Sequence, residues 1–155
     1  MIENTYPDTN RHHKVAMYFL IDDDATDYVG ELPMDKYDGY VNEANWTYVD
    51  TFIDKIKDGN REHTEFDSMI DRCKQGEIDL IITPSFYYFA PTLEISLKTV
   101  AELSALPSPV GVFFVYESAN TLVESGYKRH NFWSTVLNDL LRPYKFTGDY
   151  KWIKK

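Results

Sequence analysis

A chain of 155 residues holds one domain and is too short for two comfortable ones. Its 43% apolar and 15% aromatic content suffices for a packed core, while a net charge of −9 and a pI near 4.8 argue against strong binding of a nucleic-acid polyanion, which needs a basic face to displace counterions. No stretch approaches the ~18–20 consecutive apolar residues of a membrane span, MIENTYPDTNRHHK has no apolar signal-peptide core, and the lone Cys73 excludes an internal disulfide and a multi-cysteine zinc site.

These features point to a cytoplasmic protein with no membrane segment and no cofactor. Cys73 lies in the helical-looking stretch SMIDRCKQG and reads as a buried structural thiol. Two small basic clusters, Lys128–Arg129–His130 and Lys151, Lys154, Lys155, read as solvated surface rather than as nucleic-acid contacts.

Residues 1–13 are polar and are expected to be a flexible N-terminus. VAMYFLI (15–21), closed by Asp22, Asp23 and Asp24, fits a buried strand that ends in a loop. The next ~20 residues carry Gly30, Pro33 and Gly39 and read as a loop with at most a short irregular helix. WTYVDTFI (46–53), rich in β-branched and aromatic residues, predicts a second strand, and Asp58, Gly59 and Asn60 a turn.

From Thr64 to Lys74 a helix is expected, with Thr64 as N-cap, Phe66, Met69, Ile70 and Cys73 on one face, and Gly76 as the left-handed stop. IDLIIT (78–83) predicts a third strand, ended by Pro84. A second helix over 92–106 places Leu93, Leu97, Val100 and Leu103 or Ser104 inward and is terminated by Pro107 and Pro109. GVFFVY (111–116) is a fourth strand, and Asn131 to Arg142 a last helix stopped by Pro143. Strands alternating with helices predict a mostly parallel sheet of four to five strands with helices on both faces, a three-layer α/β domain over 14–142 followed by a tail over 143–155.

Three segments in order, VAMYFLIDD, WTYVDTFID, and the block from HTEFDSMIDRCKQGEIDLIITPSFYYFAPTLEISLKTVAEL through VGVFFVYES, resemble the catalytic domain of serine recombinases, the resolvase/invertase family. The resemblance covers about two thirds of the chain and is most specific over 63–103. It implies a resolvase-like fold and a chemistry in which a serine hydroxyl attacks a DNA phosphodiester while arginines hold the developing charge. At the family's Tyr-x-Arg-x-Ser this chain has Leu20 for the arginine and Asp22 for the serine. The arginine expected before Phe66 is His63. In the loop patterned Lys-Ser-x-x-Arg-x-x-Arg, Pro84, Tyr88 and Pro91 replace the basic residues; Ser85, Asp79 and Glu117 still fit the pattern.

Ser85 has no Lys, Arg or His within four residues along the chain and reads as a turn-forming hydroxyl. Arg61 and His63 are the nearest sources of positive charge, with a surface Arg and a helix-capping His as the simpler reading. His12 and His13 lack partner acids for a metal site. Asp22, Asp23 and Asp24 support an alternative, a receiver-like acidic pocket that could take a hard cation, although the phosphoacceptor place there reads Thr83 or Pro84 and Glu117 stands where a lysine would follow the fourth strand. A third possibility is small-molecule sensing by Phe86, Tyr87, Tyr88 and Phe89; filling of the vacated cleft by those rings is the simpler reading.

The sequence therefore predicts a catalytically inactive resolvase-like domain from DNA recombination or mobile-element biology. It is expected to act by self-association or by binding a protein partner, with at most weak DNA contact. The resemblance implies a dimer contact through Trp133 and Leu137, with an intramolecular packing face as the equal alternative. No helix-turn-helix fits after Pro143, which leaves an excised domain or a protein that does not read DNA sequence.

Overall fold

A computed structural model describes residues 7, 10–22, 39, 42, 45–90, 92–117, 119–121, 144–146 and 152–154. Eight strands and two helices of regular length lie within them. They are β1 (His13–Asp22), β2 (Trp46–Lys57), β3 (Asn60–Arg61), α1 (Thr64–Lys74), β4 (Leu80–Thr83), α2 (Leu93–Ser104), β5 (Gly111–Phe114), β6 (Ala119–Asn120), β7 (Tyr144–Phe146) and β8 (Trp152–Lys154).

The main sheet has the order β3-β2-β1-β4-β5-β6, and β7 and β8 form a separate antiparallel pair. β2, β1, β4 and β5 pair in parallel, whereas the two-residue edge strands β3 and β6 pair antiparallel. The sheet is thus mixed, with six strands rather than the expected four to five. Both additions are too short to leave a periodic signal.

β1 and β2 extend past their predicted ends, and β2 carries an irregularity opposite Val15/Ala16. That irregularity is why its apolar residues do not alternate cleanly: Trp46 packs on one face of the sheet, while Val49 and Phe52 pack on the other. β4 and β5 begin or end two residues inside their predicted spans, and every residue in both is buried. Such strands read as continuous apolar runs because both sheet faces are covered.

The chain starts mid-sheet, passes to β2, then returns across β1 to β4 and β5. The crossovers containing α1 and α2 run in the same direction, so the right-handed rule puts both helices on one face. There Phe66, Met69 and Cys73 of α1 and Leu97, Val100 and Leu103 of α2 pack with Ala16, Tyr18, Phe52, Ile81, Val112 and Phe114. The opposite face buries Val15, Met17, Phe19, Leu80, Ile82 and Phe113. The last expected helix, 131–142, lies outside the described residues, as do Gly30 and Pro33 of the predicted loop, Trp133, Leu137 and Lys128–His130.

Two helix-end expectations change. The N-cap of α1 is His63, whose side chain makes no capping bond, and Thr64 is the first helical residue. α2 starts at Leu93 with Thr92 as its N-cap, the Thr92 Oγ1 accepting from the Ile95 amide at 3.1 Å. Leu93 and Ser104 are exposed; Ser96, Leu97, Val100, Ala101 and Leu103 form the inner face. Gly76 takes φ +79° just past α1, as its position predicts.

Candidate functional site

Connections leave β1 in one direction and β4 in the other, so the carboxyl ends of these neighbouring strands form the sheet's topological switch point, where open α/β sheets place their ligands. β1 brings Leu20 and Asp22 there, β4 brings Thr83, Pro84 and Ser85, and β5 brings Tyr116 and Glu117. Asp79 does not join them. It lies at the opposite, amino-terminal end of β4, where its carboxylate accepts the Lys14 amide at 2.9 Å and sits 3.4 Å from the buried His13 ring. Residues 79 to 83 span about 13 Å of extended chain.

Ser85 and Glu117 are brought together. The Ser85 hydroxyl donates to Glu117 Oε1 at 2.5 Å, the Phe86 amide donates to the same oxygen at 3.0 Å, and the Tyr87 amide donates to Ser85 Oγ at 3.2 Å. Glu117 and Ser85 are only 4% and 5% exposed. Backbone bonds from Val115 N to Thr83 O (3.0 Å) and from Tyr116 N to Pro84 O (2.8 Å) continue the pairing of β4 and β5 into this turn. A carboxylate against a serine hydroxyl has the form of a nucleophile and its base. Here, however, the two amides nearest Ser85 are already engaged, so neither is turned toward an incoming oxyanion. The arrangement is that of a locked turn. Among the described residues, Glu117 Oε2 has no hydrogen-bond partner.

A second polar group lies beside it. The Tyr18 hydroxyl, on β1, donates to Asp54 Oδ2 on β2 at 2.9 Å, and Arg61 Nη2 on β3 donates to the Tyr18 hydroxyl at 3.2 Å. Arg61 Nη2 also donates to the carbonyls of Tyr88 (3.1 Å) and Phe89 (3.2 Å), tying the turn after β4 to β3. Burial pushes the Tyr18 hydroxyl well above the ordinary tyrosine range, with the Arg61 guanidinium pulling the other way. Asp54 accepts the Glu65 and Phe66 amides at 3.1 and 2.9 Å, so it satisfies the first turn of α1 from a neighbouring strand.

Of the two basic candidates, Arg61 therefore reaches the site and His63 does not. His63 is exposed and bonds Asp67 through Nδ1 at 2.8 Å; that carboxylate raises the ring's pKa above its ordinary value. Tyr18 was not singled out in the sequence. The available signal was a tyrosine within the apolar run VAMYFLI; in the fold it pairs with Phe52, two residues before the acid that ends WTYVDTFID.

The aromatic run divides. Phe86 and Phe89 are buried, with Phe89 edge-on to Tyr18, Phe66 and Phe114 at centroid distances of 6.1, 5.2 and 5.6 Å, whereas Tyr87 and Tyr88 are exposed. Two rings thus enter the core and two stay outside. Thr83 is buried and its hydroxyl donates to the Tyr18 carbonyl at 3.0 Å. His12 Nε2 lies 2.7 Å from Thr47 Oγ1, and His13 packs edge-on to Trp46 at 5.8 Å. Asp23, Asp24 and Pro91 lie outside the described residues. Among those described, no cluster of His, Cys, Asp or Glu has metal-site geometry, and no helix is long and apolar enough to cross a membrane.

No protein-family model matches the sequence, and no curated protein matches it. Among solved structures, the N-terminal catalytic domain of TP901-1 integrase is similar, with a TM-score of 0.58 and 17% identity over 83% of this chain and 94% of that domain. The chain has a recombinase-like α/β fold.

Proposed function

We propose that this chain is a recombinase-fold domain that does not cleave DNA and serves DNA recombination through protein association. The observation that carries this reading is the state of the switch-point residues. The hydroxyl available there, on Ser85, is buried and bound to Glu117 and the Tyr87 amide. The one guanidinium brought to the turn among the described residues, that of Arg61, bonds two carbonyls and a tyrosine hydroxyl. Leu20, Pro84 and Tyr88 offer no charge to a phosphate, and a carboxylate at Asp22 repels one.

The test is incubation of purified protein with supercoiled plasmid, scored for nicked and linear product and for covalent protein–DNA adducts. Neither is expected. Nicking that disappears in Ser85→Ala or Asp22→Ala would overturn the reading. Low-salt fluorescence anisotropy with a random-sequence duplex tests the second half: salt-sensitive saturable binding would return the domain to a DNA role, and its absence fits a protein partner.

A further inference from the structure

β2 is the longest described strand, yet only part of its outer side is used. β1 pairs with it from Trp46 to Ile56. β3, its other neighbour, pairs only with Ile56 and Lys57, and Glu62 adds one bond, from its amide to the Lys55 carbonyl at 2.8 Å. Among the described residues, no strand lies beside 46–54 on that side. Peptide groups alternate along a strand between its two neighbours, so with Lys55 facing outward, Ile53 and Thr51 face outward as well. Apart from its two aspartates, the open stretch WTYVDTFID is wholly β-branched and aromatic, without a proline or a lysine. An edge of that composition invites pairing with another chain.

Asp50 stands against such pairing. Asp54 is buried, so Asp50 is the one charge exposed along the stretch. Its Oδ1 accepts the outward Thr51 amide at 2.8 Å, which removes a donor that an added strand would need. Its Oδ2 lies 3.6 Å from Arg72 Nη1, and that guanidinium, over the Phe52 ring at 5.9 Å, tethers the carboxylate to α1. The Thr51 hydroxyl is engaged in turn by the Tyr48 hydroxyl.

We infer that Asp50 is an edge guard, whose carboxylate closes the outer side of β2 to strand addition by a second copy of this chain. A second copy is the occupant the guard answers, because it brings the same β-rich stretch with it. An antiparallel pairing centred on Thr51 would set the two Thr51 residues opposite each other, and both amides would have to leave Asp50. The two Asp50 carboxylates would then flank the central pair on the same face, like charges on a short ladder. β3 confines that ladder to the residues before Lys55, so each lost donor weighs heavily.

Wild type and Asp50→Thr, each as the full chain, are compared by sedimentation velocity over a concentration series, with circular dichroism confirming the fold of every variant. Threonine keeps the strand and frees the Thr51 amide, so self-association at least about tenfold stronger than in the wild type is expected. Two further variants isolate the cause. Glu77→Thr removes the same charge and another partner of Arg72, at 3.7 Å, but opens no edge amide and should match the wild type. Asp50→Thr/Thr51→Pro lacks the outward N–H at a place where an edge strand accepts proline, and should return to the wild-type level. Asp50→Thr that associates no more than the wild type would overturn the inference. So would an equal rise in Glu77→Thr, which assigns the effect to net charge, or a rise that survives Thr51→Pro. Amide exchange in the wild type adds a check that needs no variant. The Thr51 N–H should exchange more slowly than the outward Ile53 N–H, and equal rates would also overturn the guard.

Discussion

The Tyr18 hydroxyl donates to Asp54 Oδ2 at 2.9 Å, joining two neighbouring parallel strands on the helix-covered face of the sheet. The same carboxylate receives the Glu65 and Phe66 amides, so one buried side chain satisfies three donors from β1 and α1. Asp54→Ala strands the buried Tyr18 hydroxyl and Phe66 amide and also frees the part-buried Glu65 amide, and should cost roughly 3 kcal/mol in urea unfolding. Tyr18→Phe leaves Asp54 its two amides and should cost about 1–2 kcal/mol. The double variant should lose less than the sum of the two, since both remove the same bond. Additive losses would mean the pair is not coupled.

The hairpin joining β2 to β3 is closed by Asp58 and Gly59, both at positive φ, +52° and +76°. Two such residues in succession make the tight turn whose twist suits paired strands. An added Cβ at Gly59 would meet nothing within 4 Å, so Gly59→Ala isolates the backbone cost. A loss of about 1 kcal/mol is expected by thermal or urea unfolding, with little change in Asp58→Asn because asparagine tolerates the left-handed region. An unchanged midpoint for Gly59→Ala would place the turn in another conformation.

Cys73 sits on the inner face of α1, and burial, reinforced by the charge of Asp79, pushes its thiol up to about 12. The reactive thiolate is therefore scarce at neutral pH, and the sulfur is shielded as well. Iodoacetamide at about pH 8 should leave the native protein unmodified and alkylate it fully in denaturant, by intact-mass spectrometry. Rapid native labelling would contradict the packing of α1.

Much of this fold was legible because its central elements are simple in pattern. The 3, 4 and 7 spacing of Phe66, Met69, Ile70 and Cys73 marks α1, with its N-cap one residue earlier than expected, and the runs IDLIIT and GVFFVY contain the strands buried on both faces. The resemblance to serine recombinases agrees, at the level of a recombinase-like α/β fold, with the structural similarity to an integrase catalytic domain at 17% identity. What stayed hidden depends on contacts far apart in sequence. Asp54 displaced Thr64 as the source of α1's N-terminal bonds, which no local capping signal records. Arg61 lies 27 residues from Tyr88 yet bonds its carbonyl. Asp79 matched the family pattern but occupies the far end of its strand, and the aromatic run 86–89 gave no sign that two rings would turn inward and two outward.

His63 offers a pH test of the α1 terminus. Its Nδ1 bonds the Asp67 carboxylate at 2.8 Å, and that bond and charge raise the ring's pKa, against the opposing field of the helix N-terminus. The fold therefore favours the protonated ring. Its stabilising contribution is present in full below the unfolded-state value of about 6.5 and is lost as pH rises through the higher folded-state value. The pair is exposed, so the effect is small and falls with added salt. An NMR titration of the His63 ring should give a pKa above that of free histidine, and Asp67→Asn should bring it down. Over the same range, from about pH 6.5 upward, wild-type stability in urea should decline more than that of Asp67→Asn. An His63 pKa at or below the free value would show that the helix terminus outweighs the carboxylate.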